Sequence, residues 1–451
     1  MALPGPAATR AAVRLCRIAA SASSYLPSAA ADGRRELELP FALVAERGMV
    51  VGGHRGMGMN AVGAPPGARF GAARERENTL LSFGRAAAHA AVAFVEFDVQ
   101  VRLAVSFGTL FGFGLEFAVT PPQHCDAKMV TKDGCPIIFH DDFILTQGTG
   151  AVHERRVTDL LLEDFLSYGP QRESCKVSYL LAIYFFSCEV HECMLKALIY
   201  SLSFALAFQV SKPLLRRAGD GRVLNWTTED DDSLCTLQEA FQRVSPRLGF
   251  NIELKFDDSI MYHRKDLQCA LKAVLQVVFE HARNRPVFFS SFHPDAAQMM
   301  RELQSLYPVL FLTEGGTSKH HDPRRNSFDD AVRVCLEYDL HGIVSEARGV
   351  LKNPSAVARA QESNLALLTY GQLNNVWEAV YIQYLMGVHG VIVDRVEEIS
   401  DAVAGFGLGK PGLGRGGAGV DGAKTHQAQA FSQQQLGFLL RLIPELIEQR
   451  H

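Results

Sequence analysis

Acidic residues at the ends of two apolar runs are the first sign of chemistry in this chain. Glu96 and Asp98 are two positions apart, which puts both carboxylates on one face of a β-strand. Glu253 closes another apolar run. Because unpaired buried carboxylates are costly, three of them at strand ends predict a site for a hard cation, Mg²⁺ or Ca²⁺ rather than zinc.

Histidine, arginine and lysine residues also lie at the ends of β-rich runs. His54 and Arg55 end the first β-rich run, His140 ends the third, and Lys255 follows the acidic residue of the fourth. Two histidines can act as base and acid, while arginine and lysine bind phosphate oxygens. With a cation beside them, these residues predict a phosphate-ester site. Each signal has a plainer alternative, because a lone histidine is more often structural and an acidic pair can lie on an exposed edge strand.

Nine short β-rich runs, mostly separated by helical intervals, must position these residues. Such alternation predicts one α/β domain, and about eight units predict a TIM (β/α)8 barrel, with its chemistry at the C-terminal strand ends. A doubly wound sheet is disfavoured, because no Gly-x-Gly-x-x-Gly turn follows the first strand. Nine runs compete for eight places, and we expect the second and third to be irregular or hairpin-like. The runs are 49–53, 93–98, 136–140, 249–254, 286–291, 308–313, 341–345, 365–370 and 390–394.

The chain divides into four predicted segments. Residues 1–45 form an extension whose first 31 residues lack acidic side chains, as in an organelle transit peptide or a disordered Ala-rich extension. Residues 46–403 form the barrel domain, and 404–430 a Gly-rich linker. Residues 431–451 predict an amphipathic helix that docks on the domain surface or binds a partner, with Pro444 at a kink or boundary. The extension favours a plastid location, with the cytoplasm as the alternative.

Two interior stretches, 101–128 and 177–209, are rich in Phe, Leu, Val, Tyr and Ser and lack regular periodicity. The second could anchor the chain in a membrane, but its uncharged runs fall short of the ~18–20 residues of a span. Its Cys188 and Cys193 fit no standard zinc spacing. We favour translated introns, because each stretch begins with Val and ends with Lys or Gln, as phase-zero intron ends require. We expect a chain that retains them to be poorly soluble and weakly active.

Overall composition excludes several classes of protein. With 47% hydrophobic and 21% charged residues, the chain is neither disordered nor fibrous. A net charge of −4 gives no basic surface for nucleic acid. Nine cysteines, an odd number without a Cys-x-x-Cys pair, fit a reducing compartment better than a disulfide scaffold.

Taken in order, the motifs resemble the glycerophosphodiester phosphodiesterase family, most closely its plant members. The similarity covers roughly residues 49–400 apart from the two atypical stretches. It rests on Gly-His-Arg-Gly at 53–56, Glu-Asn-Thr at 77–79, Val-Glu-Phe-Asp at 95–98, Val-Thr-Lys-Asp-Gly at 130–134, Ile-Phe-His-Asp at 138–141, Asn-Ile-Glu-Leu-Lys at 251–255, Ser-Ser-Phe at 290–292 and Ile-Val-Asp at 392–394.

The resemblance implies a distorted TIM barrel with an insertion between the third and fourth strand units, here within 142–245, and one divalent cation, Ca²⁺ or Mg²⁺. The implied residue roles are metal binding by Glu96, Asp98 and Glu253, general acid and base catalysis by His54 and His140, phosphate binding by Arg55 and Lys255, and support of the metal or of His54 by Glu77.

The implied reaction is hydrolysis of deacylated phospholipids, for example glycerophosphocholine, to sn-glycerol 3-phosphate and an alcohol. The expected partner is a small glycerophosphodiester, with neither nucleic acid nor membrane. Two alternatives stay open: a phosphoinositide phospholipase of the same barrel type, and a catalytically impaired splice form that binds metal or partners. The chain also departs from the family, which joins the Glu-x-Asp strand to the His-Asp segment by a short turn where this chain has 101–128.

Overall fold

The structure, a computed structural model, describes residues 49–63, 74–100, 134–148, 150–171, 212–258, 260–406 and 433–444. The atypical stretches 101–128 and 177–209 lie outside the described residues, as do the extension 1–45 and most of the linker 404–430. The predictions made for those segments are therefore tested only by experiment.

Eight parallel strands form a closed barrel, which confirms the predicted fold class. The first strand pairs with the last on one side and with the second on the other, so the sheet closes on itself. Closure excludes the doubly wound alternative, in which the sheet stays open. The barrel strands are β1 (Val50–His54), β2 (Val92–Gln100), β9 (Gly249–Lys255), β10 (Val287–Ser291), β11 (Val309–Thr313), β12 (Gly342–Glu346), β13 (Ala366–Tyr370) and β14 (Gly390–Val393).

Helices cover the outside of the barrel, apart from the short Leu162–Leu166, whose Phe165 packs in a separate apolar cluster. They are α1 (Leu80–Ala86), α2 (Leu162–Leu166), α3 (Leu237–Arg243), α4 (Arg264–His281), α5 (Pro294–Leu303), α6 (Phe328–Glu337), α7 (Ala347–Lys352), α8 (Ser355–Glu362), α9 (Trp377–Met386), α10 (Val396–Ala404) and α11 (Gln433–Leu442). In α4, Leu267, Leu271 and Val274 recur at helical spacing and are buried against the strands. Side chains of the strands alternate accordingly, so Phe94 lies inside the barrel and Phe97 beneath the helices.

The third β-rich run, 136–140, is not a barrel strand. Only β3 (Ile137–Ile138) forms there, and it runs antiparallel to β2. The short β8 (Cys235–Thr236) pairs antiparallel with β3 on its other side. The hairpin-like arrangement explains why nine runs supply eight barrel strands. Counted in barrel strands, the insertion lies between the second and third, β2 and β9, and not between the third and fourth.

The insertion (142–245) carries a second, four-stranded antiparallel sheet in the order β5-β4-β6-β7. Its strands are β4 (Phe143–Gln147), β5 (Val152–Arg156), β6 (Leu214–Arg217) and β7 (Val223–Asn225). An apolar cluster under this sheet includes Phe165 and Trp226, whose rings both contact Phe139. Because Phe139 directly precedes His140, the insertion packs against the segment that carries the predicted catalytic histidine.

The C-terminal helix α11 packs on the barrel domain. Its Leu439 and the following Ile443 are fully buried in the main apolar core. The helix ends at Leu442, two residues before Pro444. Proline has no backbone N–H to donate, so it cannot continue the hydrogen bonding of a helix. Within the described ranges, no helix is long and apolar enough to cross a membrane.

Candidate active site

The barrel brings the three predicted metal ligands together at the C-terminal ends of two neighbouring strands. Glu96 and Asp98 lie on β2, and Glu253 lies on β9. The parallel register pairs Asp98 directly with Glu253. One carboxylate oxygen from each residue lies within 4.8 Å of the others, and all three residues are buried. The arrangement follows from strand alternation, which turns Glu96 and Asp98 to the barrel interior together.

The pKa values of Glu96 and Asp98 are shifted in opposite directions, in a way that suits a bound cation. Burial, together with the neighbouring Asp98, raises the pKa of Glu96 well above its usual range. Burial opposes ionisation of Asp98 too, but Lys255 and Arg55 hold the pKa of Asp98 far below its usual value. Glu96 Oε1 is buried and accepts no hydrogen bond from the described residues. A hard cation would satisfy that oxygen, so the triad could bind a divalent metal.

Two basic side chains adjoin the triad. Arg55 Nε lies 3.3 Å from Asp98 Oδ2. Lys255 Nζ lies 3.3 Å from Asp98 Oδ1 and 3.0 Å from Glu253 Oε1. With all three carboxylates ionised, as metal ligands are, they and the two basic side chains carry one net negative charge, which a divalent ion and a monoanionic phosphodiester would together neutralise. The charges therefore match a complex of cation and phosphodiester.

The turn after β1 has an unusual backbone that directs Arg55 at the triad. Arg55 has φ 51° and Gly56 has φ 100°, both in the left-handed region. A Cβ atom on Gly56 would lie 2.2 Å from Ser82 Oγ, so glycine is required there. The turn also lets the Arg55 backbone N–H donate to Glu96 Oε2 at 3.1 Å. Strain of this kind is typical of functional sites.

Glu77 lies behind Arg55. Its Oε1 accepts hydrogen bonds from Arg55 Nη1 at 2.8 Å and from Arg216 Nη2 at 2.9 Å, and its Oε2 accepts from the Asn60 backbone N–H. Burial would raise the pKa of Glu77, but Arg55 and Arg216 lower it to about 2. Among the described residues Glu77 contacts both Arg55 and Arg216, and it makes no hydrogen bond with His54.

His54 ends β1 beside the triad, with Nε2 at 3.9 Å from Glu96 Oε2. Its Nδ1 lies 2.7 Å from Asp394 Oδ1 at the end of β14. Asn375 holds that carboxylate, donating from Nδ2 at 2.8 Å. Burial and Arg55 lower the pKa of His54, but Asp394 and Glu96 together outweigh them, and the net effect is a raised pKa.

His140 follows β3 and faces a cleft of about 670 Å³ that Glu253 and Lys255 also line. Gln100, at the end of β2, donates to the backbone carbonyl of His140 at 3.0 Å. The Nδ1 atom of His140 lies 2.7 Å from Asp141 Oδ1. Burial, with Arg55 and Lys255 nearby, lowers the pKa of His140.

The structure thus brings together all eight residues that the sequence singled out, and it adds three partners to which the sequence gave no role. Asp394 and Asp141 each hold one histidine, and Arg216 holds Asp141. Asp394 lies 340 positions from His54 along the chain, and Arg216 lies 75 from Asp141. Asp141 and Asp394 stand in the quoted motifs, so their pairing was open to inference, whereas nothing in the sequence marks Arg216.

Comparison with known proteins identifies the family. Residues 125–398 match the model of the glycerophosphoryl diester phosphodiesterase family. Two Arabidopsis thaliana proteins are 45% identical over 405 residues: glycerophosphodiester phosphodiesterase GDPD2 (89% of this chain, 90% of that protein) and GDPD1, chloroplastic (90% and 92%). Glycerophosphocholine phosphodiesterase GDE1 of Eremothecium gossypii is 29% identical over 379 residues, covering 76% of this chain and 25% of that protein.

The closed barrel and these matches define an enzyme of the phosphoric diester hydrolase class. The chain belongs to the glycerophosphoryl diester phosphodiesterase family, as its motifs predicted. The family match begins at residue 125, beyond β1 and β2, whereas the matches to the Arabidopsis proteins span most of the chain.

Proposed function

We propose that the chain is a metal-dependent glycerophosphodiester phosphodiesterase that hydrolyses deacylated phospholipids such as glycerophosphocholine. The products would be sn-glycerol 3-phosphate and an alcohol. The observation that carries the proposal is the cluster of three carboxylates and two basic side chains at the barrel mouth. His54 lies beside Glu96 of that cluster, and His140 lines the same cleft as Glu253 and Lys255. The charge of the cluster suits a divalent ion with a bound phosphodiester.

In this proposal Glu96, Asp98 and Glu253 hold one Ca²⁺ or Mg²⁺ ion. The ion would polarise the phosphoryl oxygens and offset their charge. Arg55 and Lys255 bind the phosphate, and Glu77 fixes the guanidinium of Arg55 through the hydrogen bond between them.

The proposed reaction has two steps. The glycerol 2-hydroxyl attacks phosphorus, giving its proton to one histidine, while the bond from phosphorus to the head-group oxygen breaks and the other histidine protonates the leaving alcohol. Water then opens the cyclic phosphate, with the two histidines in exchanged roles. We assign His140 as the first base and His54 as the first acid. The lowered pKa of His140 favours its neutral form, and the raised pKa of His54 favours its protonated form.

Choline as the released alcohol is supported by the E. gossypii relative, which is a glycerophosphocholine phosphodiesterase. A plastid location is supported by the Arabidopsis relative GDPD1, which is chloroplastic. A fluorescent fusion of the whole chain in plant cells tests the location, and signal confined to the cytosol would contradict it.

Turnover of glycerophosphocholine, measured with and without divalent cations, tests the proposed activity. Exhaustive chelation should abolish hydrolysis, and adding Mg²⁺ or Ca²⁺ back should restore it. Full activity after chelation would remove the metal from the proposal. Release of inositol phosphates from intact phosphoinositide in preference to glycerophosphodiesters would favour a phospholipase instead. Metal binding without turnover of either substrate would favour the catalytically impaired splice form.

A further inference from the structure

Arg216 ties the insertion to the active site. It lies on β6 of the antiparallel sheet, outside the barrel, yet its residue surface is only 8% exposed. Strand alternation turns it with Leu214 toward the apolar cluster of the insertion, while its neighbour Arg217 is exposed. A buried arginine must have its charge and donors satisfied, so its partners show what it does.

The guanidinium group contacts two carboxylates at once. Its Nε donates to Asp141 Oδ2 at 3.0 Å, and its Nη2 donates to Asp141 Oδ1 at 2.9 Å, which is the paired geometry that arginine forms with a carboxylate. The same Nη2 donates to Glu77 Oε1 at 2.9 Å, and Nη1 donates to the backbone carbonyl of Asn60 at 3.1 Å. The Trp226 ring lies under the guanidinium at 4.2 Å from its centroid.

Each of those carboxylates in turn holds a proposed catalytic or phosphate-binding residue. Asp141 Oδ1 lies 2.7 Å from His140 Nδ1, and Glu77 Oε1 accepts from Arg55 Nη1 at 2.8 Å. A continuous chain of polar contacts therefore joins His140 to Arg55, and Arg216 is its centre. No other described basic side chain contacts both Asp141 and Glu77.

We propose that Arg216 is a positioning residue through which the insertion sets the orientation of both His140 and Arg55. The inference rests on the proposed function, since it gives those two residues their roles. The insertion then does more than wall the cleft: it supplies the link that fixes the proposed base relative to the proposed phosphate ligand. Without Arg216, Asp141 and Glu77 would lose the cation they share. Asp141 would keep its contact with His140, and Glu77 its bonds from Arg55 and Asn60, but nothing would fix the two contacts relative to each other.

A buried arginine can also serve stability alone, and Arg285 is the matched example in this chain. It is 4% exposed, stacks on Phe250 at 4.0 Å, and donates to backbone carbonyls that include those of Val244 and Leu248. Arg285 precedes β10, at the end of the barrel away from the catalytic residues. Replacing Arg285 by lysine therefore measures what a buried, stacked arginine contributes without contact to the site.

The kinetic test compares Arg216→Met and Arg216→Lys with Arg285→Lys in the full chain. We expect both Arg216 variants to lower kcat for glycerophosphocholine by about 10–10²-fold, the range for a group that orients a functional side chain, with KM changed far less. Lysine should not rescue, because an ammonium cannot reproduce the forked contact with Asp141. Arg285→Lys should lower the melting temperature at least as much and leave kcat near the parental value.

A double-mutant comparison separates positioning from general damage. In a His140→Ala background, Arg216→Met should lower the residual kcat by a smaller factor than in the parent, because one of the two residues that Arg216 positions is already gone and only the effect through Arg55 remains. Equal fold losses in the two backgrounds would overturn the proposal, and so would parental kcat in both Arg216 variants.

A readout independent of turnover completes the test. In protein with ¹⁵N-labelled histidine, Arg216→Lys should shift the imidazole resonances of His140 and leave those of His54 unchanged. Unchanged His140 resonances would overturn the inference. If the parent chain hydrolyses no glycerophosphodiester at any metal concentration, the proposed function fails, while the resonances still decide whether Arg216 positions His140.

Discussion

Two histidine–aspartate pairs in this enzyme have the same contact and opposite surroundings. His54 and His140 each place Nδ1 2.7 Å from an aspartate oxygen, that of Asp394 and that of Asp141. Burial lowers the pKa of both rings, yet the net pKa is raised for His54 and lowered for His140. At His54 the carboxylates of Asp394 and Glu96 outweigh burial and Arg55. At His140 burial, Arg55 and Lys255 outweigh the carboxylates of Asp98 and Asp141. A hydrogen-bond partner alone therefore does not set the state of a histidine; the charges around the pair decide it.

The pairs also differ in what holds them. His54 and Asp394 end adjacent barrel strands, β1 and β14, whose ladder fixes their distance. His140 follows a two-residue strand, and its aspartate is held by Arg216 from the insertion. We call the residues at the ends of barrel strands, namely His54, Asp394 and the three triad carboxylates, the barrel half of the site. His140, Asp141 and Arg216 form its insertion half. We therefore expect changes in the insertion to disturb the insertion half and to leave the barrel half largely intact.

Removal of a triad carboxylate should have the largest effect, because it acts directly on the proposed metal site in the barrel half. Asp98→Asn deletes one charge from the proposed metal site, and polarisation by a metal is worth several kcal/mol, so we expect a loss of about 10⁴-fold or more in kcat/KM. Calorimetric titration with Mg²⁺ or Ca²⁺ should show no binding at parental affinity. The contrast is Asp141→Asn in the insertion half, which should still bind the metal. Parental metal affinity in Asp98→Asn would contradict the assignment.

The two histidines come next, and they test whether the halves have separate tasks. His54→Ala and His140→Ala should each lower kcat by about 10²–10⁴-fold while metal binding persists. The p-nitrophenyl ester of glycerol phosphate has a leaving group that needs no proton. With that substrate the loss should shrink in His54→Ala, which lacks the proposed acid, and stay large in His140→Ala. The reverse pattern would exchange the two assignments.

Residues of the barrel half can be predicted from the sequence far better than those of the insertion half, and the reason is physical. Glu96, Asp98 and Glu253 lie on strands buried on both faces, where an acidic residue stands out against its apolar neighbours and the period of two fixes its direction. Arg216 lies on a short strand of an irregular sheet, and its burial depends on partners far along the chain. Local pattern carries no sign of such a partner, so the histidines could be found from sequence and the group holding one of them could not.

Weakening the aspartate partners should have a smaller effect, visible chiefly in pH dependence. Asp394 raises the pKa of His54, so Asp394→Asn should lower that pKa. Because a general acid must be protonated, the alkaline limb of the kcat–pH profile should then move to lower pH. The hydrogen bond to Asp141 raises the pKa of His140, so Asp141→Asn should lower that pKa. Because a general base must be neutral, the acidic limb of the kcat–pH profile should also move to lower pH. We expect kcat losses of about 10–10²-fold at the parental optimum. Limbs that stay in place in both variants would show that neither aspartate governs its histidine.

Deletion of the two atypical stretches should change folding stability least, although it interrupts the chain next to both halves. Gln100 and Ile137 are register partners of β2 and β3, so removing 101–128 leaves residues 129–136 to turn between adjacent strands. Tyr168 and Lys212 form a bridge, so removing 177–209 also rejoins neighbouring points. Shortening the two connections should stabilise the fold by about 1 kcal/mol or less, because closure entropy varies slowly with chain length.

Activity and soluble yield should respond more than stability if the stretches are translated introns. Parent, two single deletions and the double deletion are compared for soluble expression and for glycerophosphocholine hydrolysis. Deleting 101–128 should account for most of the gain in turnover, because that stretch alone joins the strand of Glu96 and Asp98 to the segment of His140. Deleting 177–209 should chiefly improve yield, since it lies within the insertion and its ends flank no catalytic residue. A parent chain as soluble and active as the double deletion would show that both stretches are genuine parts of the enzyme and that the intron interpretation is wrong.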